Sequence, residues 1–333
     1  MAMLKSLRSR LLKYLVLGST ILVSLLICLL WNSSVSGLPS RSLAPLKDEL
    51  YKVISPSTYR YILNQPKLCE RRNPFVVFMI PVTGEDSKSR SAIRKTWGQD
   101  NLLPNVDIAR LFFTGQPSEP NTNLEKHLQK ESKAYGDIIQ MDFLDTYRNL
   151  TIKTMMIMNW LATYCPSAQY AMKVDADIFV NVPYLVHHLQ NQASHQDYIT
   201  GSVINDGHPR RNPHSKWFLS EEVYPESLFP PYVSGAGYVF SIDLAKKISR
   251  ASRFVRPIDM EDVYVGLCLH YLNVRPVFSR TLLPYKNLFE IRRLEYDKSV
   301  LNEVAGLCLC VCVRVCVCHY KITKAVYVFT TDW

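Results

Sequence analysis

The 333-residue chain has no Cys-x-x-Cys pair, no stripe of lysine and arginine, and no acidic residue in its first 31 positions. Without paired Cys-x-x-Cys units, its nine cysteines make a poor zinc cluster. Without a basic stripe, the net charge of +10 does not mark a nucleic-acid surface. The cations are scattered among acids and suit, weakly, an anionic small molecule. Hydrophobic residues make up 47% and charged residues 20%, ordinary proportions for a globular protein. The length admits two domains, or one large α/β domain with additions.

The missing acids at the amino terminus leave Lys5, Arg8, Arg10 and Lys13 unopposed. Directly after them, Tyr14 to Trp31 is an uncharged run of 18 residues, long enough to cross a bilayer as a helix. Positive charge kept in the cytoplasm would leave residues 1–13 as a cytoplasmic tail, 14–31 as a signal anchor, and the remainder in the lumen. Ser34-Val35-Ser36-Gly37 keeps a cleaved signal peptide open, but the length of the run and the interfacial Trp31 favour the anchor. Asn149-Leu150-Thr151 and Asn32-Ser33-Ser34 fit the acceptor pattern for N-glycosylation, and Asn149 is the better placed because Asn32 lies against the membrane.

Residues 32–74 mix Ser, Pro and charge with little periodicity and read as a spacer. At Phe75 the texture changes. FVVFMIP predicts a buried parallel strand, followed by a helix in which Arg90 and Arg94 share a face and Gly98 is the C-terminal cap. Val106–Phe113 predicts a second strand, Asn121–Tyr135 a capped helix, 137–143 a third strand and 150–164 a Met-rich core helix. Strand Tyr170–Val174 follows, then a helix opened by Pro183. This alternation is that of a parallel α/β sheet.

The strand at 170–174 runs into Asp175 and Asp177. Two carboxylates two residues apart on an extended segment face the same side, where one divalent cation and a nucleotide diphosphate would bind at the carboxyl ends of the strands. An Asp-x-Asp also serves as turn or cap chemistry. The second half predicts short strands at 199–203, 216–219 and 232–240, mixed or antiparallel. Gly235 and Gly237 would admit a ligand close to the backbone or form a tight turn. Glu261 and Asp262 open an apolar helical run, where they are helix-capping acids or, in a cleft, a base.

Four segments in this order, RSAIRKTWG, KVDADIFVNV, KWFLSEEVYPESLFPPYVSGAGYVFS and EDVYVGLCL, resemble the β-1,3-glycosyltransferases of glycosyltransferase family 31. The likeness runs from about Phe75 to about Tyr296. It implies a GT-A fold in residues 75–298, a UDP-sugar donor, a divalent metal (Mn2+), and inversion to a β-1,3 linkage. It also implies a Golgi type II membrane protein anchored through residues 14–31, acting on a glycan acceptor of a glycoprotein or glycolipid. By the resemblance, Asp175 and Asp177 match the metal motif, with Asp177 the closer ligand. Asp262 matches the general base, with Glu261 beside it, and Arg90 and Arg94 match an Arg-x-x-x-Arg whose pocket role competes with salt bridging on a helix face. Trp217, Tyr232, Gly235 and Gly237 would line the donor or acceptor cleft, with apolar core as the rival explanation for the aromatics. SGAGYVFS is closer to the galactosyltransferase version, which implies UDP-galactose. An N-acetylglucosaminyltransferase and a folded but inactive Golgi protein stand as alternatives.

From about Ser299 the likeness stops. The family continues with a cysteine, a strand bearing a metal-binding histidine and a final cysteine, whereas the segment 299–333 carries Cys alternating mostly with Val at 308–318, as a translated TG repeat would. Five of the nine cysteines lie there, all at even positions. His319 matches no family position. Besides Cys28 in the apolar run, the remaining luminal cysteines are Cys69, Cys165 and Cys268, an odd number, so at least one of the three has no partner among them. A chain with this tail is expected to express poorly and to transfer little sugar.

Overall fold

The computed structural model describes residues 45–70, 72–193, 195–279, 282 and, as backbone, 307–309. The expected membrane span at 14–31 and most of the Cys/Val-rich tail lie outside the described residues. Within those residues no helix is long and apolar enough to cross a membrane.

A short helix, α1 (Asp48–Lys52), precedes the first strand, β1 (Tyr61–Leu63). The apolar run after Phe75 forms β2 (Val76–Pro81), followed by α2 (Ser87–Lys95), β3 (Ile108–Gln116), α3 (Thr122–Tyr135), β4 (Ile138–Leu144), α4 (Leu150–Tyr164) and β5 (Tyr170–Val174). β2, β3, β4 and β5 are parallel neighbours in the order β4-β3-β2-β5, as the alternation predicts. Then come β6 (Ile178–Val180), α5 (Val182–Gln190), β7 (Ile199–Ile204), β8 (Tyr232–Ser241), α6 (Asp243–Ala251), α7 (Glu261–Tyr271) and β9 (Val277–Phe278). β8 lies antiparallel between β5 and β7, and β9 closes the far edge, so the sheet has eight strands and is mixed. β10 (Leu307–Leu309) pairs antiparallel with β6.

Both faces of the sheet are covered, which explains why its central strands are apolar throughout. Along β2, Val77 and Met79 join the core under α4, α6 and α7, while Val76, Phe78 and Ile80 pack toward α2 and α5. Burying each such side chain stabilises the fold by about 1.5–3 kcal/mol. The Met-rich helix is core, as expected: Met155, Met156 and Met158 are buried against this sheet.

Several expectations change. The spacer reading of residues 32–74 fails in its second half. Ile54 is buried, β1 pairs with β4, and Cys69 is disulfide-bonded to Cys165 at the end of α4. Cys268 is buried and, among the described residues, has no disulfide partner. Residues 216–219 are not a strand; they follow a turn and make an isolated bridge, Arg210 to Phe218. Helix α2 ends at Thr96, not at Gly98. Gly98 is required for a different reason: a Cβ there would lie 2.6 Å from the Ile93 methyl.

Between the helices and the sheet runs a chain of buried ion pairs. Arg90 donates to both oxygens of Glu131 on α3 and to the carbonyls of Thr83 and Gly84. Arg94 bridges Glu131 and Asp137, and Arg110 on β3 joins Asp137 to Asp100. Burial alone would raise the Glu131 pKa, but hydrogen bonds from Arg90 and then Arg94 hold it below its ordinary 4.5. A depressed carboxylate contributes stability that is present above its ordinary pKa and lost as pH falls below it. Glu131→Gln should therefore cost about 3 kcal/mol at pH 7. The gap from the parent should narrow as pH drops below 4.5. Urea denaturation at neutral and strongly acidic pH measures both; an unchanged gap would contradict the assignment.

Candidate active site

Strand β5 is buried along its whole length and ends at Val174. Asp175 and Asp177 do not continue it as an extended segment, so the alternation expected to aim both carboxylates one way is not what places them. They lie in a turn closed by Ile178 N–H donating to Asp175 O, at the carboxyl end of the parallel strands, and β6 leaves from it. Asp175 is partly exposed and Asp177 exposed. Partial enclosure of the Asp177 carboxyl, and then the neighbouring Asp175, raise its pKa.

What anchors the turn is Lys173, two residues before it. Its ammonium is buried and meets Asp175 Oδ1 at 2.7 Å, Glu261 Oε1 at 2.9 Å and the Gly235 carbonyl at 2.5 Å. Burial would lower the Lys173 pKa, but Asp175 and Glu261 outweigh it and raise it, so the residue is a fixed cation. A lysine in the middle of an apolar strand, two positions from an aspartate, was the sequence signal for it. Its partners come from three places: the turn after β5, strand β8, and the first turn of α7.

Glu261 and Asp262 stand at the amino end of α7. Glu261 is buried, which pushes its pKa up to about 7 against the pull of Lys173. Its other oxygen accepts from Thr154 of α4 at 3.4 Å. Asp262 accepts from the Gly235 and Val263 amides, yet burial raises its pKa too. Gly235 is extended within β8, so the tight-turn explanation is withdrawn. A Cβ there would lie 2.6 Å from Glu261 Oε1, so the glycine makes room for a carboxylate of the protein itself. Gly237 pairs with Val174 in the sheet, one residue before Asp175.

A second buried lysine, Lys153 of α4, meets Asp145 at 2.7 Å and the Val82 carbonyl at 3.1 Å. Burial lowers its pKa, Asp145 opposes this, and Lys173 is near enough to lower it further. The Tyr238 hydroxyl is buried near Glu261, and burial followed by that carboxylate drives its pKa well above the phenol range.

The other expected residues are distributed as follows. Arg90 and Arg94 spend their donors on the ion-pair chain described above, which is the salt-bridging alternative moved from the surface into the interior. Arg90 also borders a cleft of about 720 Å³ between α2 and α3. Tyr232 is half-buried against Phe229, and burial with nearby Asp262 pushes its hydroxyl up to about 12. Trp217 is exposed and donates to the Tyr147 hydroxyl. Asn149 is partly exposed, its side-chain amide donating to the Leu144 carbonyl. Among the described residues no group of three His, Cys, Asp or Glu side chains could hold a metal. Asp175 and Asp177 are a pair, and a cation bound with a nucleotide draws its other ligands from phosphate and water.

The ion pair at Lys173 generates a test. Lys173→Met strands buried carboxylates and should destabilise by about 3–5 kcal/mol. Combined with Glu261→Gln it should cost clearly less than the two single losses added together, because one lesion relieves the other. Strict additivity in chemical denaturation would show that the two groups do not act as a pair.

The geometry thus brings an aspartate turn and a second carboxylate pair together at the carboxyl end of a parallel sheet. A family model described as galactosyltransferase matches residues 88–279. Beta-1,3-galactosyltransferase 2 of Mus musculus is 45% identical over 221 residues, which cover 66% of this chain and 52% of that protein. The chain therefore spans about half the length of that relative. The human protein of the same name is 44% identical over the same length, and beta-1,3-galactosyltransferase 1 of Mus musculus is 43% identical over 242 residues, 72% of this chain and 73% of the relative. With more than half of the sequence matched by the family model, and its two carboxylate pairs joined through Lys173, the chain belongs to the galactosyltransferase family.

Proposed function

We propose that the chain is a β-1,3-galactosyltransferase of GT-A fold, transferring galactose with inversion from UDP-galactose to the 3-hydroxyl of an acceptor sugar on a glycoprotein or glycolipid. The observation that carries this is the bridge through Lys173, which sets Asp175 of the turn and Glu261 of α7 on one ammonium. The names of the relatives favour galactose over N-acetylglucosamine.

Asp262 is the general base. Its raised pKa makes it a better proton acceptor than an ordinary carboxylate, and two backbone amides hold it in place. It takes the proton from the acceptor hydroxyl as that oxygen attacks the anomeric carbon from the face opposite the departing UDP. Glu261 and Lys173 position it from behind. Asp177 and Asp175 would hold a divalent cation, manganese by expectation, and the raised pKa of Asp177 beside a second carboxylate fits such a ligand. That cation supplies charge to offset the diphosphate. Trp217, Tyr232 and the Gly235–Gly237 stretch would line the donor or acceptor side of the site. The fold acts in the Golgi lumen behind the anchor at 14–31, with Asn149 carrying a glycan.

Asp262→Asn should lower turnover by roughly two to four decades while leaving UDP affinity intact. Turnover within a factor of about two of the parent would remove Asp262 from this role. Asp177→Ala should abolish the manganese-dependent part of UDP binding in calorimetry; equal affinity with the metal present would reassign the ligand. Swapping UDP-galactose for UDP-N-acetylglucosamine in a transfer assay decides between the donors.

A further inference from the structure

Trp217 and Tyr147 are 50% and 46% exposed, yet they are locked to one another. The Trp217 indole N–H donates to the Tyr147 hydroxyl at 2.9 Å, and the Lys216 ammonium sits 3.7 Å over the Tyr147 ring. Large aromatics held in fixed positions at a surface lose rotamer freedom without gaining the burial that normally offsets it. Such an arrangement is preorganised for a ligand that will cover it.

Both residues rest on rigid supports. Trp217 belongs to the long connection between β7 and β8, which is closed at its base by Phe229 N–H donating to Gly207 O at 2.8 Å. Inside that connection, Arg211 donates to the carbonyls of Leu219, Tyr224 and Glu226, so a single guanidinium holds three points of the loop. Tyr147 lies in the turn that starts α4. That turn is fastened to the segment leading to the carboxylates: Thr151 Oγ1 donates to Ile258 O at 2.6 Å, and Arg148 meets Asp259 at 3.4 Å. One helical turn further on, Thr154 reaches Glu261. The clasp is therefore tied to the segment that leads into Glu261 and Asp262.

We infer that Trp217 and Tyr147 form a stacking platform for a pyranose ring of the acceptor glycan, with the Lys216 ammonium backing the Tyr147 ring and the Tyr147 hydroxyl at the edge to meet sugar hydroxyls. The proposal rests on the transferase reading for the direction of transfer, but binding itself does not need that reading. An aromatic face matches the apolar C–H face of a pyranose, and the polar rim satisfies its hydroxyls. A nucleotide base could also stack on such rings, and the coupling to the segment at 258–261 is what argues for the acceptor. Tyr147 has a specific role here: its hydroxyl sets the orientation of the indole.

The test uses the full chain and two probes, lactose and N,N′-diacetylchitobiose, in saturation-transfer NMR and in transfer kinetics. Trp217→Ala should weaken binding of at least one disaccharide, and raise its KM, by about tenfold. Tyr147→Phe, which keeps the ring and removes only the hydroxyl, should raise the same acceptor KM severalfold with kcat and the donor KM within about twofold. Should Trp217→Ala fail to fold, Trp217→Phe, which loses the N–H, must reproduce the Tyr147→Phe effect. A parent that binds a disaccharide through Trp217 but transfers no galactose would keep the platform and discard the transferase reading. Acceptor KM and saturation transfer unchanged in the variants, or a rise confined to the donor KM, would overturn the platform.

Discussion

A single ammonium, that of Lys173, holds the site together. Burying it would be prohibitive without counter-charges, and the two that it recruits belong to segments far apart in sequence. Asp175 is drawn back from the turn and Glu261 is drawn in from α7, while the Gly235 carbonyl takes a further bond. Remove the charge, and the first turn of α7 would keep only its hydrogen bonds to Thr154 and the Gly235 amide beside the end of β5. The same requirement dictates a glycine at position 235, since any side chain there would occupy the space of the Glu261 carboxylate.

The electrostatics around this point are uneven in a useful way. Lys173 is held in its charged form, whereas burial lifts the Glu261 pKa to about 7 against the pull of Lys173 and lifts Asp262 above its ordinary range. The two acids share a helix turn and a low-dielectric setting but differ in partners: one faces an ammonium, the other two peptide amides. Such separation by environment is how adjacent carboxylates come to hold different protonation states. Lys153 and Asp145 form a neighbouring pair whose charges cancel locally, and Asp177 is the most exposed of the carboxylates around Lys173.

Much of the scaffold was legible because parallel strands covered on both faces must be apolar runs, and the segments at Phe75, Val106, 137 and Tyr170 are such runs. The position of the aspartate pair at a strand end, and of Glu261 and Asp262 at a helix start, was equally open to reading. What escaped depends on contacts across the chain. Lys173 stands out as a lysine in an apolar strand, but its partners are evident only once β8 and α7 are laid beside it. The stretch Lys216 to Leu219 has strand-like composition, but its backbone is committed to a turn by Ser215 and by pairing at Arg210. Arg90 and Arg94 were placed on one helix face correctly, but no local pattern says that Glu131 and Asp137 will meet that face. The partner of Cys69 lies 96 residues away, a choice made by the packing of β1 and α4.

The insertion of β8 between β5 and β7 also imposes an order in time. As the chain leaves the ribosome, β2 to β5 can assemble from contacts between successive elements, but the outer edge of β5 stays bare until Tyr232–Ser241 has been made. During that interval an apolar strand edge and a lysine still lacking one of its two counter-charges, at Lys173, would face solvent or another chain. Completion of the site and protection of the sheet are thus one event, and the nascent protein is most exposed to misassembly just before it acquires its second pair of carboxylates.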